Sequence, residues 1–212
     1  MAIDCRTLAL GALLLFVATA ADAHPHVWLT FKSEVVYGPN GALVAVRHVW
    51  TFDEMFSTFA TQGLDKNNDG KLSREELAEL AEVNVSSLKE FDYFTVAKAG
   101  GKPVAFEAPV DYWLEYADSQ LTLHFTLPVK AGAASPGEVV LEVYDPTYFV
   151  AFNFAENEPA KLVSAPAACK LDVQRSGASN LASQGLSESF FNGLTAGSSF
   201  GAQFANRIIV RC

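Results

Sequence analysis

The sequence predicts a mainly β domain, a sandwich or open barrel of short antiparallel strands, with a helix–loop–helix inserted at about residues 53–90. Two observations carry that prediction. Apolar residues alternate with polar ones in many short runs set off by glycine, proline and asparagine, the pattern of half-buried strands. After the first pair of these runs the period lengthens to that of a helix, and then it returns to two. Composition agrees: of 212 residues half are hydrophobic and 12% aromatic, enough for a packed core and far from a disordered chain. The formal net charge of −9 argues against binding nucleic acid or anionic lipid, since both need a basic surface.

The N-terminus reads as an export signal. Leu8 to Ala21 is apolar and uncharged with Arg6 before it, too short to span a bilayer but as long as a signal-peptide core. Ala21-Asp22-Ala23 supplies a small-x-small cleavage pattern, so residues 1–23 form the signal peptide and 24–212 a single β-rich domain. Cleavage removes Cys5 and leaves Cys169 and Cys212. An oxidising compartment is expected to pair these two across the Gly/Ser/Asn-rich stretch Ser176 to Gly201.

The first hairpin covers residues 27–52. Val27, Leu29, Phe31, Val35 and Tyr37 alternate on one strand, and Val44, Val46, His48, Trp50 and Phe52 on the next, around the turn Gly38-Pro39-Asn40-Gly41. Phe52, Met55, Phe56, Phe59 and Ala60 then follow helical spacing, and Leu77, Leu80 and Ala81 begin a second such stripe. Thr95–Ala97 and Val104–Phe106 flank Gly100-Gly101 as a second hairpin. Gln120–Leu127, Val139–Tyr144, Cys169–Val173 and Arg207–Val210 complete the predicted strands, with one helical turn around Leu186 to Asn192.

Between the two helical stripes stands Asp65-Lys66-Asn67-Asn68-Asp69-Gly70-Lys71-Leu72-Ser73-Arg74-Glu75-Glu76. Asp65, Asn67 and Asp69 aim alternate oxygens at one centre, and Gly70 permits the sharp turn. Lys71 offers its carbonyl, Ser73 a hydroxyl, and Glu76 two oxygens: a hard, calcium-sized set. Ser73 and Glu76 also form a capping box for the following helix. This loop with its flanks resembles an EF-hand. Such hands pair through the apolar residue at position eight, here Leu72, and the chain carries no second loop. A lone exported hand is expected to act as a structural Ca²⁺ clip of roughly 10⁻⁴–10⁻³ M affinity rather than as a sensor.

The histidines point to a different metal class. After cleavage His24 would join its own α-amine to its imidazole as a chelate, with His26 two residues on, a nitrogen set suited to Ni²⁺, Co²⁺, Zn²⁺ or Cu²⁺. Pro25 has no N–H, which closes the square-planar backbone mode. A tight Gly38–Gly41 turn would set Asp53 opposite His26 on one sheet face, making it the expected carboxylate partner, and His48 opposite Phe31 in or beside the core. His124, on a polar strand face, is a further candidate ligand.

His24-Pro25-His26-Val27-Trp28, His48-Val49-Trp50-Thr51-Phe52-Asp53-Glu54-Met55-Phe56-Ser57 and Tyr144-Asp145-Pro146-Thr147-Tyr148-Phe149-Val150-Ala151-Phe152 resemble a bacterial family, number 1007 in the domain-of-unknown-function series. The terminal run from Ala205-Asn206-Arg207 to Cys212 is similar too. That resemblance implies a periplasmic component of an uncharacterised transport system, often encoded beside nickel/cobalt-type inner-membrane permeases. On it, the calcium loop is an addition carried by some members. Two functions follow: a transition-metal transport accessory, or an interaction module whose only ion is structural Ca²⁺. No enzyme is expected, for the chain has no G-x-S-x-G, no H-E-x-x-H, no P-loop and no cysteine placed as a nucleophile.

Overall fold

The computed structural model describes residues 24–131, 137–176 and 186–212. The expected signal peptide and its cleavage site lie outside these residues, as does the middle of the Ser176–Gly201 stretch. The described strands form two sheets, one of six strands and one of five, so the chain is mainly β as expected.

The first sheet is built on β1 (Val27–Tyr37) and β2 (Leu43–Phe52). Beyond β2 lie β6 (Gln120–Pro128) and then β5 (Val110–Ala117), all antiparallel. The other edge of β1 is shared. Its first half pairs with β8 (Val150–Phe154) and its second half with β9 (Ala160–Val163), both parallel to it. An all-antiparallel domain was expected, and the two parallel pairings correct that. The eleven residues of β1 are long enough to seat two short strands end to end. In the second sheet β10 (Lys170–Gln174), β11 (Asn206–Arg211), β7 (Val139–Val143), β3 (Thr95–Ala99) and β4 (Lys102–Val104) are antiparallel throughout.

One core joins the two inner faces: Phe31, Val46, Trp50 and Phe125 from the first sheet, Leu141, Val143, Ile208 and Val210 from the second, all essentially buried. The period-two pattern of β1 is met residue for residue, since Val27, Leu29, Phe31, Val35 and Tyr37 all point inward. The hairpin register is two residues away from the tight-turn expectation. Its loop is Gly38–Ala42, closed by Gly38 N donating to Ala42 O and Gly41 N to Gly38 O, both at 2.9 Å, with a bulge between Val36 and Tyr37. A slip of two keeps every face but changes the partners: His48 pairs with Ser33 rather than Phe31. Val44, expected inside, is exposed because Leu43 takes the inward position next to the bulge.

The helical excursion comprises α1 (Glu54–Ala60) and α2 (Ala78–Leu88), joined by residues 61–77. The apolar stripe read along α1 divides. Phe56 and Ala60 lie against the core, whereas Met55 and Phe59 are each 73% exposed. The second stripe holds: Leu77 and Ala81 are buried, and Leu80 is partly buried against the core. A short 3₁₀ segment, Lys89–Phe94, leads from α2 into β3. Cys169 and Cys212 form a disulfide that closes the β10–β11 ladder at its outer end. For a bridge spanning 43 residues, loop-closure entropy is worth about 4 kcal/mol. The helical turn expected near Leu186–Asn192 is α3 (Glu188–Phe191).

Candidate metal centre

The residues His24-Pro25-His26 enter β1 fixed against a turn rather than loose. That turn is made by Asp145, a buried carboxylate whose Oδ1 accepts the Thr147 N–H and hydroxyl, both at 2.8 Å, and whose Oδ2 accepts Val150 N–H at 2.9 Å. Its three bonds present the carbonyl of Phe149, which accepts both His26 N (2.9 Å) and Val27 N (3.2 Å). The Phe149 ring lies 4.7 Å from the His26 ring. On the other side α3 supplies the remaining wall. Ser187 caps it by accepting Phe190 N–H, Phe191 stacks parallel on His24 with centroids 4.2 Å apart, and Glu188 Oε1 meets His24 Nδ1 at 3.3 Å.

His24, His26 and Glu188 thus offer two imidazole nitrogens and a carboxylate oxygen that all lie within 4.8 Å of one another. His24 and Glu188 are half-buried and His26 is exposed, so the group is held on one side and open on the other. Two imidazoles and one carboxylate make a borderline set, suited to Zn²⁺, Ni²⁺, Co²⁺ or Cu²⁺ rather than to Ca²⁺.

Asp53 is not part of this group. The register slip sets it opposite Trp28, where Asp53 N donates to Trp28 O and Trp28 N donates back to Asp53 Oδ2 at 2.9 Å. Its Oδ1 accepts Phe56 N–H at 2.8 Å as the N-cap of α1. Both oxygens are engaged, and the carboxylate beside the histidines is Glu188 instead. Nothing local in the sequence joins Glu188 to His24 across 164 residues. The one available signal was Ser187 before Glu188, an N-cap followed by an acid.

The other two histidines are occupied elsewhere. His48 is buried, with Ser33 Oγ 3.0 Å from Nδ1 and Thr95 Oγ1 3.2 Å from Nε2. Because the Thr95 hydroxyl donates to Tyr93 O, Nε2 carries the proton and Nδ1 accepts from Ser33. Burial pushes this imidazole down to about 3, so it is neutral at physiological pH. His124 stacks on Trp113 and bonds Glu115 Oε1 at 2.9 Å.

In the acidic loop each named side chain turns back on the backbone. Asp65 accepts Asp69 N and Gly70 N, Asn67 Oδ1 accepts Asp69 N, and Asp69 Oδ1 accepts Lys71 N. Glu76 closes the loop: Oε2 takes the N–H and hydroxyl of Ser73, and Oε1 the N–H of Lys66 and Asn67. Those donors, Ser73 first, hold its carboxyl below the usual range. Glu76 N donates back to Ser73 Oγ, completing the expected capping box, although α2 proper begins only at Ala78. Asn68 and Gly70 take left-handed φ of 59° and 77°. Leu72 is turned against its own core, and Arg74 lies 4.5 Å over the Trp113 ring.

Fold and cluster define a two-sheet β protein that gathers two imidazoles and a carboxylate at the entry to its first strand. The chain belongs to the family described as Protein of unknown function (DUF1007), which matches residues 9–212. It is similar to an uncharacterized protein of Haemophilus influenzae, 24% identical over 93% of this chain and 95% of the other. It is also similar to an uncharacterized 15.5 kDa protein of the trpE 3′ region in Spirochaeta aurantia, 28% identical over 46% of this chain and 70% of the other. No solved structure matches it. Among the described residues no helix is long and apolar enough to cross a membrane.

Proposed function

We propose that this is an exported, periplasmic metal-binding accessory of a divalent transition-metal transport system. It holds Ni²⁺, Co²⁺, Zn²⁺ or Cu²⁺ at His24, His26 and Glu188 for an inner-membrane permease. The observation that carries the reading is the convergence of these three donors from elements far apart in sequence. The disulfide fits an oxidising compartment, and an acidic chain attracts cations. Signal cleavage after Ala23 would add the α-amine of His24 to the same site.

Titration of the untagged exported protein with each ion tests this. Loss of a supporting group around a metal typically costs ten- to a hundredfold in affinity, and His26→Ala and Glu188→Gln should lower it by at least about tenfold. Asp53→Asn keeps the cap of α1 and gives up the Trp28 N–H bond; it should lower affinity far less than either. Equal binding by wild type and His26→Ala would sink the reading.

The same proposal gives the loop Asp65–Glu76 a structural Ca²⁺, held by Asp65, Asn67, Asp69, the Lys71 carbonyl, Ser73 and Glu76 in the manner of an EF-hand. A hundredfold excess over Kd would stabilise the fold by about 2.7 kcal/mol, and Glu76→Gln should abolish that gain. An unchanged melting temperature of wild type in millimolar Ca²⁺ would remove the ion from the loop. The alternative, a Ca²⁺-clipped interaction module with no transition metal, draws on one observation: Met55 and Phe59 stand exposed on α1 immediately before the loop.

A further inference from the structure

Three side-chain donors leave three positions of an octahedral ion open, and the α-amine of His24 would close only one of them, so at least two must be filled from outside. Beside the donors the structure has a second feature. A cleft of about 290 Å³ lies between the helical excursion and the first sheet, its walls almost wholly apolar: Phe52, Phe56, Leu88, Phe91, Phe149 and Phe152. Phe149 belongs to both. Its ring packs on His26, forms part of the cleft wall, and is 46% exposed. A hydrated ion has no use for such a cleft, whereas an apolar group placed there gains from the water it leaves. The volume suits one aromatic ring or a short alkyl chain, since a dry cavity of ~150 Å³ already accepts benzene.

Resting on the metal reading above, we propose that the site takes its metal as a complex with a small organic chelator. The metal meets His24, His26 and Glu188, and the chelator's apolar arm enters the cleft beyond Phe149. A neutral complex is also better received than a free anionic chelator by a chain of net charge −9.

Two matched probes decide this. The Ni²⁺ complexes of N-benzyliminodiacetate and N-methyliminodiacetate each fill three octahedral positions, leave three for the protein, and differ only in the arm. Calorimetric titration of the untagged exported protein should show the benzyl complex binding at least about tenfold more tightly than the methyl complex. Ser87→Trp plugs the cleft from an exposed position of α2. It should remove that difference and leave affinity for hydrated Ni²⁺ unchanged. Equal affinity for the two complexes, with hydrated Ni²⁺ still bound, would overturn this proposal and leave the metal reading standing, as would a benzyl preference that survives Ser87→Trp. Failure of hydrated Ni²⁺ and of both complexes to bind would overturn both.

Discussion

Gly201→Ala should lower stability by about 3 kcal/mol or more, roughly 6–12 °C in melting temperature for a chain of this size. A Cβ at this position would sit 1.7 Å from the carbonyl oxygen of Asp145 and 2.6 Å from its carbon, inside any allowed contact. The obstruction is backbone, so no side-chain rotation relieves it. Gly201 N also donates to Pro146 O at 2.9 Å, which fixes the 3₁₀ segment Phe200–Phe204 on the Asp145 turn. Tyr148 packs there against Phe204, with centroids 4.3 Å apart. Pushing the two segments apart disturbs the turn whose Phe149 carbonyl holds His26, so the variant should also bind metal less well. Gly197→Ala is the control. Its nearest neighbour would be Thr195 Oγ1 at 3.8 Å, and its melting temperature should stay close to wild type. Coincident melting curves for the two variants would show that the close approach does not constrain the fold.

Stability should fall steeply on acidification through His48. In the unfolded chain its imidazole takes a proton near pH 6.5, while the folded site resists until about 3. Between those values the unfolded state binds more protons, so this contribution is complete above 6.5 and is lost as pH drops toward 3, at about 1.4 kcal/mol per pH unit. His48→Phe removes the titration. At neutral pH it leaves the Ser33 hydroxyl without its acceptor and should cost about 1–3 kcal/mol. Below pH 5 the variant should lose stability less steeply than wild type by that slope, the carboxylates contributing alike to both. Parallel urea-unfolding curves from pH 7 to pH 4 would show that the folded protein accommodates imidazolium at this position.

Local chemistry made much of the molecule legible. The alternation in β1, the Gly100-Gly101 hairpin and the Ser73–Glu76 capping box follow from residues close in sequence, and the Cys169–Cys212 bridge from the only pair left once the expected cleavage removes Cys5. β5 and β8 were not legible. β5 lacks alternation because much of its length is solvent-exposed on both faces, and β8 is a five-residue run whose parallel partner lies more than a hundred residues away. The division of the α1 stripe was also hidden, since helical spacing groups Met55 and Phe59 with Phe56 and Ala60 without saying how much of that face finds a partner.

The candidate centre shows the same boundary. The sequence alone set His24 and His26 as neighbouring nitrogen donors beside an expected cleavage point, and it pointed to Asp53 as their carboxylate partner. Which carboxylate was decided only in three dimensions. A five-residue loop and one bulge shift the β1–β2 register by two, handing Asp53 to Trp28 and to the cap of α1. The docking of α3 against His24 then brings in Glu188. Register depends on loop geometry and docking on packing between distant segments; neither leaves a periodic trace in the chain, so the sequence determined the two neighbouring histidines and the tertiary structure decided which carboxylate lies beside them.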